Sequence, residues 1–231
     1  KTTLGIGWSD VPWIAPPNLN ATYNVTLEWA LQCRTPDSSP ADFRSVIVPF
    51  ADMVGEWQPV RAKALEGIDR VFSHGRFVGG PEIAELEQKL AGITGARFAV
   101  TCASGTTALQ MAMMAVGIGP GDEVIVPCMS WYSTFTSVVM NKAIPIGIDI
   151  DEDLLMNLNQ IKSKVTKKTK AILYVHFAGY VKDLTNLSKY CKSKNIFLIE
   201  DCAQSFFGRV NKKQSGTFGD IAAFSMNPMK V

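Results

Sequence analysis

Paired cysteines are missing from this 231-residue sequence: Cys33, Cys102, Cys128, Cys191 and Cys202 are scattered, and no two form a C-x-x-C. An odd, unpaired set argues against a disulfide framework or a zinc site and fits a reducing compartment, so the chain reads as cytoplasmic. No apolar run approaches the ~18–20 residues that span a bilayer, which points away from a membrane partner. Excess charge is absent too, since the formal net charge is only +2, and nothing general suggests nucleic acid. The densest basic run, Lys162 to Lys170, reads as a solvated connection rather than a phosphate patch. The first residues do not carry the pattern of a secretory leader. Asn20 and Asn24, each two residues before a Thr, therefore read as chance matches to the glycosylation pattern. An initial Met is lacking as well, so a chain that starts at Lys1 reads as a segment of a longer product.

What is present divides near residue 45. Residues 1–45 hold Trp8, Trp13 and Trp29 with no sustained period, and Thr35 to Asp42 (TPDSSPAD) has the composition of a turn-rich linker. This part reads as an upstream extension or linker. From Val46 onward the pattern becomes regular, and with 47% hydrophobic residues the chain can bury a sizeable core. Helical spacing predicts helices over 59–72 and 81–94, then near 106–116, 132–141, 154–163 and 184–193. Between them, short apolar runs predict strands at 97–101, 123–126, 144–148, 171–175, 196–199 and 221–224. Strands alternating with helices predict an α/β fold of three layers, α/β/α, around a mostly parallel sheet. Such sheets bind ligands beyond the carboxyl ends of their strands.

Three strand ends carry candidate chemistry. After Thr101 come Ser104, Gly105, Thr106 and Thr107, then an amphipathic helix. The positive end of a helix suits a phosphate, although Ser104 equally suits an ordinary N-cap. In IFLIEDCAQS, Glu200 and Asp201 end an apolar strand and Gln204 follows; a pocket carboxylate, an N-cap and a surface ion pair all remain open there. In IAAFSMNPMKV a strand ends at Ser225 and Lys230 follows, and a lysine held in a pocket can form a Schiff base with an aldehyde. Together these are the requirements of pyridoxal 5'-phosphate (PLP): a phosphate seat, an acid for the ring nitrogen and a lysine for the aldehyde carbon. Trp131, just past another strand, offers a flat face for the ring or is simply a core aromatic.

From VPFADM (Val48) to the end the sequence resembles the sugar-nucleotide aminotransferases of the DegT type, which have the aspartate aminotransferase fold. The resemblance runs in order through GRFVGGPEIAELEQKLA, SGTTAL, GIGPGDEVIVP, IGIDID, VHFAG, EDCAQS, GTFGDIAAFS and the lysine near the end. It implies that Lys230 bonds to the cofactor and shuttles a proton to the substrate carbon. By the same resemblance Asp201 would pair with the ring nitrogen, Gln204 would bond the ring hydroxyl and Trp131 would stack on the ring. Ser225, with the backbone at Thr106 and Thr107, would hold the phosphate. His176 matches the VHFAG motif with no firm role, and His74 reads as a loop residue.

The resemblance further implies that glutamate or glutamine donates the amine to a keto-sugar carried on a nucleotide, in a homodimer. Residues 46–231 would be the PLP-binding large domain, truncated after the cofactor lysine, because the family continues well past it. Three rivals stand beside this reading: a PLP-dependent sugar dehydratase, a PLP-binding sensor without turnover, and a cofactor-free Rossmann-like module. Known dehydratases of the family replace the lysine with histidine, so Lys230 argues against the first. Retained Lys230, Asp201 and Gln204 argue against the second, and the third predicts no visible chromophore.

Overall fold

The computed structural model describes residues 24–25, 48–49, 53–227 and 230. The readings of Trp8, Trp13, Trp29 and the stretch from Thr35 to Asp42 fall outside them. The chain forms two compact units, residues 1–68 and 69–231. In the first, β1 (Asn24–Val25) pairs antiparallel with β2 (Val48–Pro49).

The second unit contains the predicted sheet. Its five strands are β3 (Glu123–Pro127), β4 (Ile144–Ile148), β5 (Thr169–Val175), β6 (Phe197–Asp201) and β9 (Ile221–Ala223). They lie in the order β4-β3-β5-β6-β9, every pair parallel. Between β6 and β9 the chain makes a small hairpin of β7 (Arg209–Val210) and β8 (Lys213–Gln214). Both central turn residues, Asn211 and Lys212, have positive φ, as a two-residue hairpin requires.

Strand alternation sorts the apolar side chains onto two faces. Val124, Val126, Ala171, Leu173, Ile199 and Ala223 form one core with Leu109, Ala112 and Met113 of α3 (Gly105–Ala115) and Val138 of α4 (Ser133–Met140). Ile125, Ile172, Tyr174 and Leu198 form the other with Ile161 of α5 (Ile161–Lys164) and Leu187 and Cys191 of α6 (Thr185–Lys194). A sheet buried on both faces has no polar side left, which is why its strands read as nearly unbroken apolar runs. The chain steps one way from β3 to β4 and the other way to β5, so the switch point of the sheet lies between β3 and β5.

Helices α1 (Met53–His74) and α2 (Pro81–Thr94) include the predicted spans. Pro81 opens α2, where its missing N–H donor costs no intrahelical hydrogen bond, and Gly95 closes it in the left-handed conformation. His74 is not in a loop: it ends α1, where its ring meets Glu82 at 3.2 Å beside the Arg70–Glu82 ion pair at 2.8 Å. The basic run from Lys162 to Lys170 is mostly exposed, as a solvated connection should be.

Two elements differ from the sequence reading. Residues 97–101 form no strand; Phe98 and Val100 are each 72% exposed, and no described residue pairs with their backbone. An apolar alternation specifies a strand only where a neighbouring strand accepts its hydrogen bonds. The helix expected over 154–163 is reduced to α5. Leu154 adopts a positive φ, Asp153 accepts from the N–H of Leu155, and Asn157 accepts from those of Asn159 and Gln160. Asp and Asn side chains here compete for the N–H groups a helix would use, while Leu155 and Met156 are buried in the core as single residues.

Adjacent methionines of α3 test this packing. Met113 is fully buried and Met114 is 62% exposed. Met113→Ala should lower unfolding free energy by about 3 kcal/mol and Met114→Ala by less than about 0.5 kcal/mol, measured by urea denaturation.

Candidate functional site

The carboxyl ends of β3, β5, β6 and β9 open onto one pocket of about 170 Å³. Ser104, Gly105 and Thr106 line it from the start of α3, Ser130, Trp131 and Ser133 from the segment after β3, and Val175 from β5. Asp201, Ala203 and Gln204 come from the end of β6, and Ser225, Asn227 and Lys230 from the segment after β9. These residues are up to 126 positions apart in sequence (Ser104 to Lys230), and the parallel crossovers bring them together.

Helix α3 presents its amino end to the pocket. Ser104 is indeed its N-cap, its Oγ accepting from the N–H of Thr107 at 3.1 Å. That commits Thr107, which does not line the pocket, and leaves the N–H groups of Gly105 and Thr106 as the donors at the helix end. Gly105 permits a close approach: a Cβ there would lie 3.3 Å from Cβ of Ser225, whose hydroxyl stands beside the helix start. Thr106 Oγ1 and Ser133 Oγ are 2.8 Å apart. The sequence reading missed Ser133, although it lies two residues after Trp131.

Asp201 is a buried carboxylate on the pocket face of β6. Oδ1 accepts from the N–H of Ala203 at 3.0 Å. Burial pushes its carboxyl above the ordinary aspartate range; the Ala203 hydrogen bond and the charge of Lys230 oppose the shift. Gln204 is oriented by its environment: Oε1 accepts from the N–H of Ala178 at 2.9 Å, which turns the amide NH₂ away as the free donor. Ala178 itself holds a positive φ of 51° in the short 3-10 turn Phe177–Gly179. Trp131 is 59% exposed rather than a core aromatic, and Lys230 Nζ lies 5.6 Å from its ring centroid.

Glu200 points the other way. Fully buried on the back face, it accepts from the N–H groups of Gly216, Phe218 and Gly219 and meets His176 Nε2 at 2.9 Å. His176 is equally buried, its Nδ1 has no partner among the described residues, and it does not line the pocket. His176, Glu200 and Cys202 bring potential metal-ligating atoms within 4.8 Å of one another. Both Glu200 oxygens are already committed to N–H donors, so the trio reads as a structural network.

Among the described residues, no helix is long and apolar enough to cross a membrane. The chain is 36% identical over 188 residues to UDP-N-acetyl-3-dehydro-alpha-D-glucosamine 3-aminotransferase of Acidithiobacillus ferrooxidans, covering 81% of this chain and 51% of that protein. Crystallographic S. venezuelae DesV, in complex with a ketimine intermediate, superposes with a TM-score of 0.75 at 33% identity, covering 78% of this chain and 49% of that one. NtdA of Bacillus subtilis with bound cofactor PMP gives 0.66 at 30% identity, covering 71% and 37%. The chain thus spans about half the length of the curated relatives it matches. The fold is that of the PLP-transferase aminotransferases. Matching their pattern over residues 59–231, the chain belongs to the DegT/DnrJ/EryC1/StrS aminotransferase family.

Proposed function

We propose that this chain is the cofactor-binding part of a PLP-dependent transaminase that moves an amino group from glutamate or glutamine to a keto-sugar nucleotide. Residues 46–231 form the large domain in this reading and residues 1–45 an upstream extension, and the whole protein works as a cytoplasmic homodimer. The observation that carries the proposal is one pocket holding a buried carboxylate, a lysine and a helix amino end, contributed by Asp201, Lys230 and α3. The relatives' names support the substrate class, since that of A. ferrooxidans acts on a UDP-linked dehydro sugar.

The residues present fit the cofactor. Gly105 and Thr106 offer N–H groups at a positive helix end, and the Ser225 hydroxyl stands against them, which suits a phosphate. Thr106 and Thr107 shape this seat differently: Thr106 faces the anion, and Thr107 holds the cap that orients the helix. Asp201 is a buried acid short of a full cation partner, as a protonated ring nitrogen would be. The NH₂ of Gln204 would be free to donate to the ring oxygen, and Trp131 would give the ring a flat surface.

When bound, PLP supplies an aldehyde that takes up amines and a ring that draws electrons from the carbon being deprotonated. Asp201 would favour a protonated ring nitrogen by holding a negative charge beside it in a low-dielectric site. Lys230 would hold the cofactor through Nζ, and the same amine would be the group that moves a proton at the substrate carbon.

Borohydride reduction of the PLP-loaded protein followed by peptide mapping should place the label on Lys230; a label on Lys212 or Lys213 would assign the role elsewhere. Amine transfer from glutamate or glutamine across a panel of keto-sugar nucleotides tests the activity itself, and turnover with none of them would overturn it. Asp201→Asn should leave PLP bound but lower amine transfer at least ~100-fold.

The same variant tests the burial of Asp201 in the cofactor-free protein. A carboxyl raised in the folded state favours folding only while protonated. Its contribution is complete below the ordinary value of 3.8 and is lost as pH rises through the higher folded value. The melting temperature of Asp201→Asn relative to the parent should therefore increase with pH across that window. A difference that stays flat would show that burial does not burden this carboxylate.

A further inference from the structure

The Glu200 network lies behind the sheet and has no part in the chemistry proposed above. Its donors come from separate segments. His176 immediately follows β5, Glu200 belongs to β6, and Gly216, Phe218 and Gly219 form the turn that feeds β9. Oε1 accepts from Phe218 at 2.7 Å and Gly219 at 2.6 Å, and Oε2 accepts from Gly216 at 2.9 Å. The turn is pressed onto its surroundings. A Cβ on Gly219 would stand 2.4 Å from the carbonyl oxygen of Leu198, and one on Gly216 would stand 2.5 Å from the ring of Phe224. Asp220 adds a further tie, its Oδ2 accepting from the N–H of Leu198 at 2.9 Å.

On the opposite face, these same three strands deliver Val175, Asp201 and Ala223 to the pocket, and Ser225 follows two residues after β9. Register pairs Val175 with Asp201 and Asp201 with Ala223, one step along from the pairs Tyr174–Glu200 and Glu200–Ala222. The turn that Glu200 holds continues through Ala223 to Ser225, whereas Asp201 is held as well by its pairing with Val175 of β5.

We infer that Glu200, with His176, is a positioning residue: it locks the ends of β5, β6 and β9 from behind and so sets where the Ser225 hydroxyl stands against the amino end of α3. This rests on the cofactor reading and adds to it a carboxylate that never touches the cofactor. The effect is selective. The turn that Glu200 holds leads to Ser225 and the phosphate seat, whereas Trp131 reaches the ring from the segment after β3. Loss of Glu200 thus weakens the hold on phosphate more than the hold on the ring. In E200Q an NH₂ group replaces one oxygen and confronts N–H donors, so the turn cannot keep its place.

The test compares PLP with pyridoxal, which lacks the phosphate, in the whole protein that carries this chain. Dissociation constants are measured by absorbance titration for the parent, E200Q, H176F, S225A and the E200Q/S225A double variant, with thermal melts alongside. The parent should bind PLP more tightly than pyridoxal. E200Q and S225A should each cut that preference about tenfold and H176F about threefold, while the double variant should lose little more than either single change. If E200Q weakens both ligands by one factor, as a general loss of stability would, or weakens neither, the inference is overturned. Should E200Q fail to fold, H176F decides by the same ratio. A parent that binds neither ligand overturns the cofactor reading, and this inference with it.

Discussion

Two neighbouring carboxylates, Glu200 and Asp201, are buried back to back on opposite faces of one interior strand. An ion removed from water is tolerated only where donors or cations replace its hydration. Glu200 receives that replacement from the protein itself, through three N–H groups and an imidazole. Asp201 receives one backbone N–H, the Thr134 hydroxyl and a share of the charge on Lys230, and burial still raises its carboxyl. The architecture follows from this inequality. On one face of the sheet end the acid is matched by donors of the protein, and on the other it is left short of positive charge in a pocket that a helix amino end and a lysine also enter.

The division of labour extends along the strands. Alternation gives each strand one residue for each core, and at the carboxyl ends the same alternation separates scaffold from site. Tyr174, His176 and Glu200 continue the back face, while Val175, Asp201 and Ala223 continue the face covered by α3. A shift of register by one residue in β6 would exchange the two carboxylates, leaving Glu200 unmatched in the pocket and Asp201 too short for the turn at 216–219.

Much of this was legible in the residues because parallel strands buried on both faces leave a strong local mark. Ile144–Ile148 was read to the residue, and β3, β5, β6 and β9 to within a residue or two. The pocket residues were legible for another reason: Asp201 ends a strand and Gln204, Ser225, Trp131 and Lys230 come after strand ends, where such sheets place ligands, while Thr106 was legible from the small-residue turn that opens a helix. What escaped depended on partners distant in sequence. Phe98 and Val100 alternate like a strand but pair with nothing described, and Asp153 and Asn157 use side chains where a periodic pattern expects helix. Glu200 was seen as a strand-end acid, but its role depends on N–H groups up to 19 residues later, and no local pattern announces that.

The crossover topology has a kinetic corollary. Every strand pair in the five-stranded sheet is parallel and non-local, so each requires closure of a long loop before any hydrogen bond repays it. The innermost pairs, β3 with β5 and β5 with β6, can form once residue 201 is available, but the pocket floor waits for β9 and the turn that docks on Glu200. During synthesis, the central strand pairs can therefore consolidate before the residues facing the ligand are in place. Amide hydrogens at Ile172, Leu173 and Leu198 should be the slowest to exchange, and those of the 216–225 arm should open earlier as a separate cooperative unit.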